Sequence, residues 1–139
     1  MKQVIPLLIL LMGFQSCKQS TDDDVSIEIE CPKAQITSTA AFDNLAAQSF
    51  ELTGHKLVGN SLRLSLALSG CSFQRNFRLV VDEAKAKSMP PQQQAKLVFD
   101  AQSCQAYFEF EICFDVSDIE RPTILKLPTS GGIKRIELN

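Results

Sequence analysis

The chain has 139 residues, enough for one domain with a buried core after any N-terminal processing and too few for two. Hydrophobic residues make up 45%, with nine Phe, one Tyr and no Trp, which excludes a disordered chain. A formal net charge of −2 and a sequence pI near 5.4 leave no basic footprint for DNA or RNA, so no nucleic-acid partner is expected. Arg63, Arg75, Arg78, Lys85 and Lys87 do gather in mid-chain, but acidic and polar residues interleave with them, which reads as a solvated face.

Residues 1–16 carry one positive charge, Lys2, followed by an apolar run from Val4 to Phe14. That run is too short to cross a bilayer, which takes about 20 residues, and has the anatomy of a secretory signal peptide. Ser16 then Cys17 closes it. A small residue just before a cysteine resembles the lipobox of bacterial lipoproteins, although Phe14 and Gln15 depart from its usual Leu and Ala or Ser. The resemblance implies cleavage before Cys17 and acylation of that cysteine, hence a membrane partner reached through a lipid anchor on Cys17. Several acyl chains would hold stably, because each buried CH₂ contributes about 0.8 kcal/mol and one chain alone is marginal.

Residues 17–26 continue as "CKQSTDDDVS", polar and acidic with little to bury, and read as a tether. The spacing of Asp22, Asp23 and Asp24, without the Gly and Glu of an EF-hand loop, does not fit a calcium site. A Ser/Thr-then-acidic run resembles the export signals of Bacteroidetes surface lipoproteins. The outer membrane is therefore the expected location, with the cell surface favoured over the periplasmic side.

From residue 27 to 139 the dominant signal is alternation, expected to form one domain. "IEIEC" ends at Cys31. "STAAFDNLAAQ" has helix propensity for one short turn, and "SFEL" reads as a strand. "TGHKLVGN" reads as a hairpin region, with His55 a solvated loop histidine. In "SLRLSLALS" Leu62, Leu64, Leu66 and Leu68 alternate with small and polar residues, the period of a half-buried strand. "FRLVV" is a further strand. "VDEAKAKSMPPQQQ" has helix propensity for one turn, ended by Pro90-Pro91, with Gln92–Gln94 in a loop. "AKLVFD" is the next strand.

In "AYFEFEICFDV" Phe108, Phe110, Ile112, Phe114 and Val116 form one face; Tyr107, Glu109, Glu111, Cys113 and Asp115 form the other. "TILKL" and "IKRIEL", joined through "PTSGG", complete the chain. Seven to nine antiparallel strands with one apolar face pack most simply as two facing sheets, an Ig-like β-sandwich, with a small barrel as the second choice.

Five cysteines is an odd number, and Cys17 is the one set apart. Cys31, Cys71, Cys104 and Cys113 remain, an even set in a chain whose leader directs it to an oxidising compartment, so disulfides are expected. Zinc fits poorly, because the separations are wide and only His55 could add a nitrogen ligand. Three pairings are possible. Parity puts Cys113 on the outer face of its strand, so its partner must come from an edge or terminal segment, a role that Cys31 fits. The chain-entropy model credits loops of this size with roughly 4 kcal/mol each.

Gly70-Cys71, Phe77, Pro90-Pro91, Cys104 and Phe114-Asp115-Val116-Ser117 occur in the order found in the C-terminal β-sandwich of the NigD-like lipoproteins of Bacteroidetes, which this stretch resembles. The resemblance covers about 60 of the 139 residues. It implies the fold, a lipid anchor and a Cys71–Cys104 disulfide. Where that family commonly has a His after Gly-Cys, Gln74 and Arg75 stand here, and the N-terminal OB-like domain of those proteins is not expected in a chain this short. The family's name comes from a bacteriocin operon, which implies an immunity-like or envelope-binding role.

Neither Gly-x-Ser-x-Gly nor a phosphate loop nor His-Glu-x-x-His occurs, and no cofactor is expected. The paired acids Glu28/Glu30 and Glu109/Glu111 would suit a small hydrolase only if a concave pocket framed one pair; edge protection explains them more simply. The expected function is thus a non-catalytic envelope binding module whose partner is an envelope protein or a secreted toxin. A structural or accessory subunit of an envelope complex is the alternative, to be recognised by an exposed apolar patch. Intact-mass measurement after alkylation should show four added groups on Cys31, Cys71, Cys104 and Cys113 only once the protein is reduced. Four reactive cysteines in the unreduced native protein would rule the disulfides out.

Overall fold

The computed structural model describes residues 30–72 and 75–139; the leader 1–16, Cys17 and the tether to residue 26 lie outside the described residues. Eight strands and one short helix follow in the order β1 (Gln35–Thr37), α1 (Thr39–Asp43), β2 (Glu51–Val58), β3 (Ser61–Gly70), β4 (Arg78–Ala86), β5 (Gln92–Val98), β6 (Ala106–Asp115), β7 (Thr123–Thr129) and β8 (Gly132–Leu138). They form a five-stranded sheet, β1-β4-β5-β7-β8, and a three-stranded sheet, β2-β3-β6. The two sheets face each other as a β-sandwich and do not close into a barrel.

The central strand β3 explains the packing. Leu62, Leu64, Leu66 and Leu68 all point inward and are at most 4% exposed, against Leu79, Val81, Leu97, Leu125 and Leu127 of the five-stranded sheet. Each such side chain contributes about 1.5–3 kcal/mol when fully buried.

On β2 the inward residues Leu52 and Leu57 stand an odd number of positions apart, so a regular strand would send them to opposite faces. Between Leu52 and Gly54 the register slips by one residue at Thr53, and both leucines then reach the core. His55 therefore lies inside β2, opposite Leu64, and not in a loop; it stays exposed because β2 is an edge strand.

Two junctions differ from an all-antiparallel pattern. β1 pairs with β4 in parallel, and β5 with β7 likewise. The chain leaves the larger sheet, adds β2 and β3 to the smaller one in the first case and β6 in the second, and returns beside its point of departure. A parallel pair needs a long crossover, and here strands of the facing sheet supply it, with the single turn α1 added in the first.

"VDEAKAK" is not helical: Val81–Ala86 continues β4. Its register against β5 shifts between Val81 and Lys85, and there Asp82, 6% exposed, accepts from Thr39 Oγ1 at 2.8 Å and from the Ala84 amide at 3.1 Å. Gln92–Gln94 belongs to β5 rather than to a loop, with Gln93 buried and donating from Nε2 to the Asp82 carbonyl at 2.8 Å. "STAAFDNLAAQ" does form its single turn, α1, capped by Ser38 and seated by the buried Phe42. Lys96 closes its far end, donating to the carbonyls of Phe42 and Leu45 at 2.8 and 3.0 Å.

Gly70, the last residue of β3, lies against Arg75: a Cβ there would fall 1.4 Å from Nη2 of that guanidinium. Gly70→Ala should therefore lower stability by about 1–3 kcal/mol in urea unfolding, the usual cost of overpacking. In a double-mutant cycle Gly70→Ala should cost less in an Arg75→Ala background than in wild type, since the nearest obstructing group is then gone. An equal cost of Gly70→Ala in both backgrounds would show that the clash with Arg75 is not the cause.

Candidate functional site

Two disulfides frame the smaller sheet. Cys31 is bonded to Cys113 with a Cα–Cα distance of 5.1 Å, and Cys71 to Cys104 with 4.8 Å. Cys113 lies opposite Arg63 on the outer face of β6, the side its parity indicates. The first bond is reinforced by backbone pairing: the Asp115 amide donates to Pro32 O at 2.9 Å and the Ala34 amide to Asp115 O at 2.8 Å. The segment Cys31–Ala34 is thus clamped to the end of β6. Lys33 adds an ion pair with Asp118 at 3.0 Å, but both side chains are more than half exposed and the pair stabilises little.

The second disulfide is embedded in a polar clamp. Gln102 Oε1 accepts from the amides of Cys71 and Ser72 at 2.7 and 2.9 Å. Arg75 donates to the carbonyls of Ser69, Ser72 and Asp100 at 2.8, 3.1 and 3.5 Å, and its guanidinium carbon lies 5.6 Å from the Phe99 ring centroid. Arg75 is accordingly a joint between the β3–β4 and β5–β6 connections and not part of a solvated face. Arg63 and Lys85 also have partners, Glu111 at 3.4 Å and Glu120. The only hint of Arg75's role in the sequence is the glycine five positions before it, which leaves room for the guanidinium.

Beside the Cys31–Cys113 clamp a groove of about 1080 Å³ opens at the end of β3 and β6. Phe77, Ile112 and Phe114 supply its apolar lining; Glu30, Arg63, Arg75, Glu111 and Asp115 supply charge. Asn60 reaches it from the β2–β3 turn, where Gly59 takes the left-handed conformation at φ 59°. That turn is fixed by Arg121, which donates to Gly59 O at 2.9 Å and Asn60 Oδ1 at 3.2 Å. The size and mixed lining suit a ligand or a partner's side chains held in a preformed cleft.

The pair Glu109/Glu111 does not share this groove. Glu111 lines it with its carboxylate on Arg63, while Glu109 stands outside the lining, opposite Ala67. Glu30 borders the groove in an irregular segment, and Glu28 lies outside the described residues. Among the described residues no group of His, Cys, Asp and Glu is arranged to hold a metal ion. No described helix is long and apolar enough to cross a membrane.

No protein-family model matches the sequence, and no curated protein does. Two solved structures share the fold. A DUF1344 protein of unknown function from Bacteroides vulgatus superposes with a TM-score of 0.56 at 13% identity, over 78% of this chain and 57% of that one. A Parabacteroides distasonis protein described as toxin-related gives 0.55 at 12% identity, over 77% of this chain and 58% of its own. The chain spans less than three fifths of the length of either neighbour.

Asp115 links the clamp to the groove. Hydrogen bonds from Ser117, led by its amide at 2.9 Å, hold the Asp115 carboxyl below its ordinary value of 3.8. A depressed carboxylate stabilises above its unfolded pKa and loses that contribution as pH falls through the lower folded value. Asp115→Asn should therefore melt below wild type at pH 7, and the gap should narrow as pH drops under 3.8. Thermal melts at several pH values check this; a gap that does not change with pH would remove the carboxylate as its source.

Proposed function

We propose that this protein is a lipid-anchored module of the bacterial cell envelope, tethered through Cys17 to the outer membrane, that binds a protein partner without catalysing a reaction. It fits the NigD-like lipoproteins in its cysteine pattern and its β-sandwich. The partner class is an envelope protein or a secreted toxin. Both structural neighbours come from Bacteroidetes, and one is described as toxin-related, which supports this setting.

The observation that carries the reading is the clamp of Cys31–Ala34 on the end of β6, immediately beside the groove. Disulfides of this kind persist in oxidising compartments. The thirteen residues from Lys18 to Glu30 reach at most roughly 45 Å when fully extended. An acylated Cys17 would thus keep the groove within that distance of the membrane, a useful arrangement for meeting a partner in or near the bilayer.

Wild-type protein in its native host should take up a palmitate label and sediment with the outer membrane, and Cys17→Ala should lose both properties. A wild type that carries no label and stays soluble would overturn the anchor. Crosslinking on intact cells should then yield a defined protein adduct, weakened at least severalfold by Arg63→Glu, which reverses a charge in the groove. Recovery of the monomer alone, or an adduct unaffected by that reversal, would count against the groove as the binding surface.

A further inference from the structure

A second recess, of about 300 Å³, opens at the other end of β3, where the start of β2 meets the β7–β8 turn. The Ser130 amide donates to Phe50 O at 2.8 Å and fixes that junction. Phe50 and Leu68 give the recess an apolar base, since both belong to the core. Its polar lining is Ser49, Ser69, Ser130, Glu51 and Tyr107.

Tyr107 sits opposite Ser69 on β6, and Glu51 sits opposite Ala67 on β2, on the other side of the same strand. The Tyr107 hydroxyl donates to Glu51 Oε2 at 3.2 Å, so the phenol reaches across β3. Ala67 on the outward side of β3 is only 1% exposed beneath it, while Tyr107 itself is 58% exposed. An aromatic face is thus turned to solvent beside a carboxylate that the phenol orients.

These features select a ligand class. Among the described residues neither Lys nor Arg lines the recess, so an anion would meet Glu51 without compensation. Serine hydroxyls both donate and accept, which suits a ligand with many hydroxyls. The volume is at the lower limit for small-molecule sites and accommodates one six-membered ring.

We propose that this recess binds a single neutral pyranose unit, its C–H face stacked on Tyr107 and its hydroxyls held by Glu51 and the flanking serines. The site is separate from the groove beside Cys113 and does not depend on the lipid anchor.

Tyr107 is the one tyrosine of a chain without tryptophan, so intrinsic fluorescence reports on this recess directly. The folded, disulfide-intact protein is titrated with methyl α- and β-glycosides of glucose, galactose and mannose. At least one should give a saturable change in fluorescence, with matching amide shifts at Ser69 and Ser130 in NMR spectra. Glu51→Gln, which retains the reporter, and Tyr107→Ala, followed by NMR, should each weaken binding about tenfold, or about 1.4 kcal/mol. Both positions are on the outer face, and circular dichroism checks that the variants fold. No saturable response of the wild type to any glycoside would overturn the proposal, as would unchanged affinity in both folded variants. Saturation by tetramethylammonium but by no glycoside would overturn it in favour of a cation site.

Discussion

Everything in this fold accommodates one leucine face. Four leucines spaced two apart on β3 must all be buried together, because shifting the strand by one residue would turn all four into water. The neighbouring strands adjust to that phase. β2 inserts Thr53 so that Leu52 and Leu57 both reach the core, and β6 presents Phe110, Ile112 and Phe114 in step with Leu66, Leu64 and Leu62. Because the inner faces are fixed in this way, the outer face of the smaller sheet is fixed as well. It carries Arg63, Ala67, Tyr107, Glu109, Glu111 and Cys113.

The same constraint sets where binding surfaces can form. The inner faces are filled, and the two openings lie beside the smaller sheet, one along β6 from Glu111 to Asp115 and the other where β2 begins and β3 ends. Each opening is held by a different device. At one the Cys31–Cys113 disulfide and the backbone bonds of Asp115 fasten the incoming chain beside the groove. At the other, Ser130 ties the β7–β8 turn to the start of β2 beside the Tyr107 recess. Rigid edges around small openings favour recognition, because little conformational entropy remains to be lost on binding.

Legibility in the sequence followed regularity. β3 and β6 were readable over nearly their whole length, since unbroken alternation has no competing interpretation. β2 was readable only at its start, because the residue inserted at Thr53 breaks the period and leaves "TGHKLV" without a consistent face. "VDEAKAK" carries helix formers but extends β4, where pairing with β5 and the Asp82 hydrogen bonds outweigh local propensity. Gln92–Gln94 offered no apolar signal, yet it pairs with β7 and buries Gln93. Arg75 looks like any surface cation in the sequence; carbonyl partners on β3, in its own connection and in the β5–β6 connection are what make it structural.

By itself the sequence determined an all-β sandwich and the outward side of Cys113, because side-chain alternation is a property of each strand alone. The tertiary structure decided which strands share a sheet, the two parallel junctions, the groove beside Asp115 and the recess beneath Tyr107. Those depend on residues far apart in the chain, such as Glu51 with Tyr107 and Gln102 with Cys71. No local period encodes such meetings; they arise only when two sheets close on one core and bring their ends together.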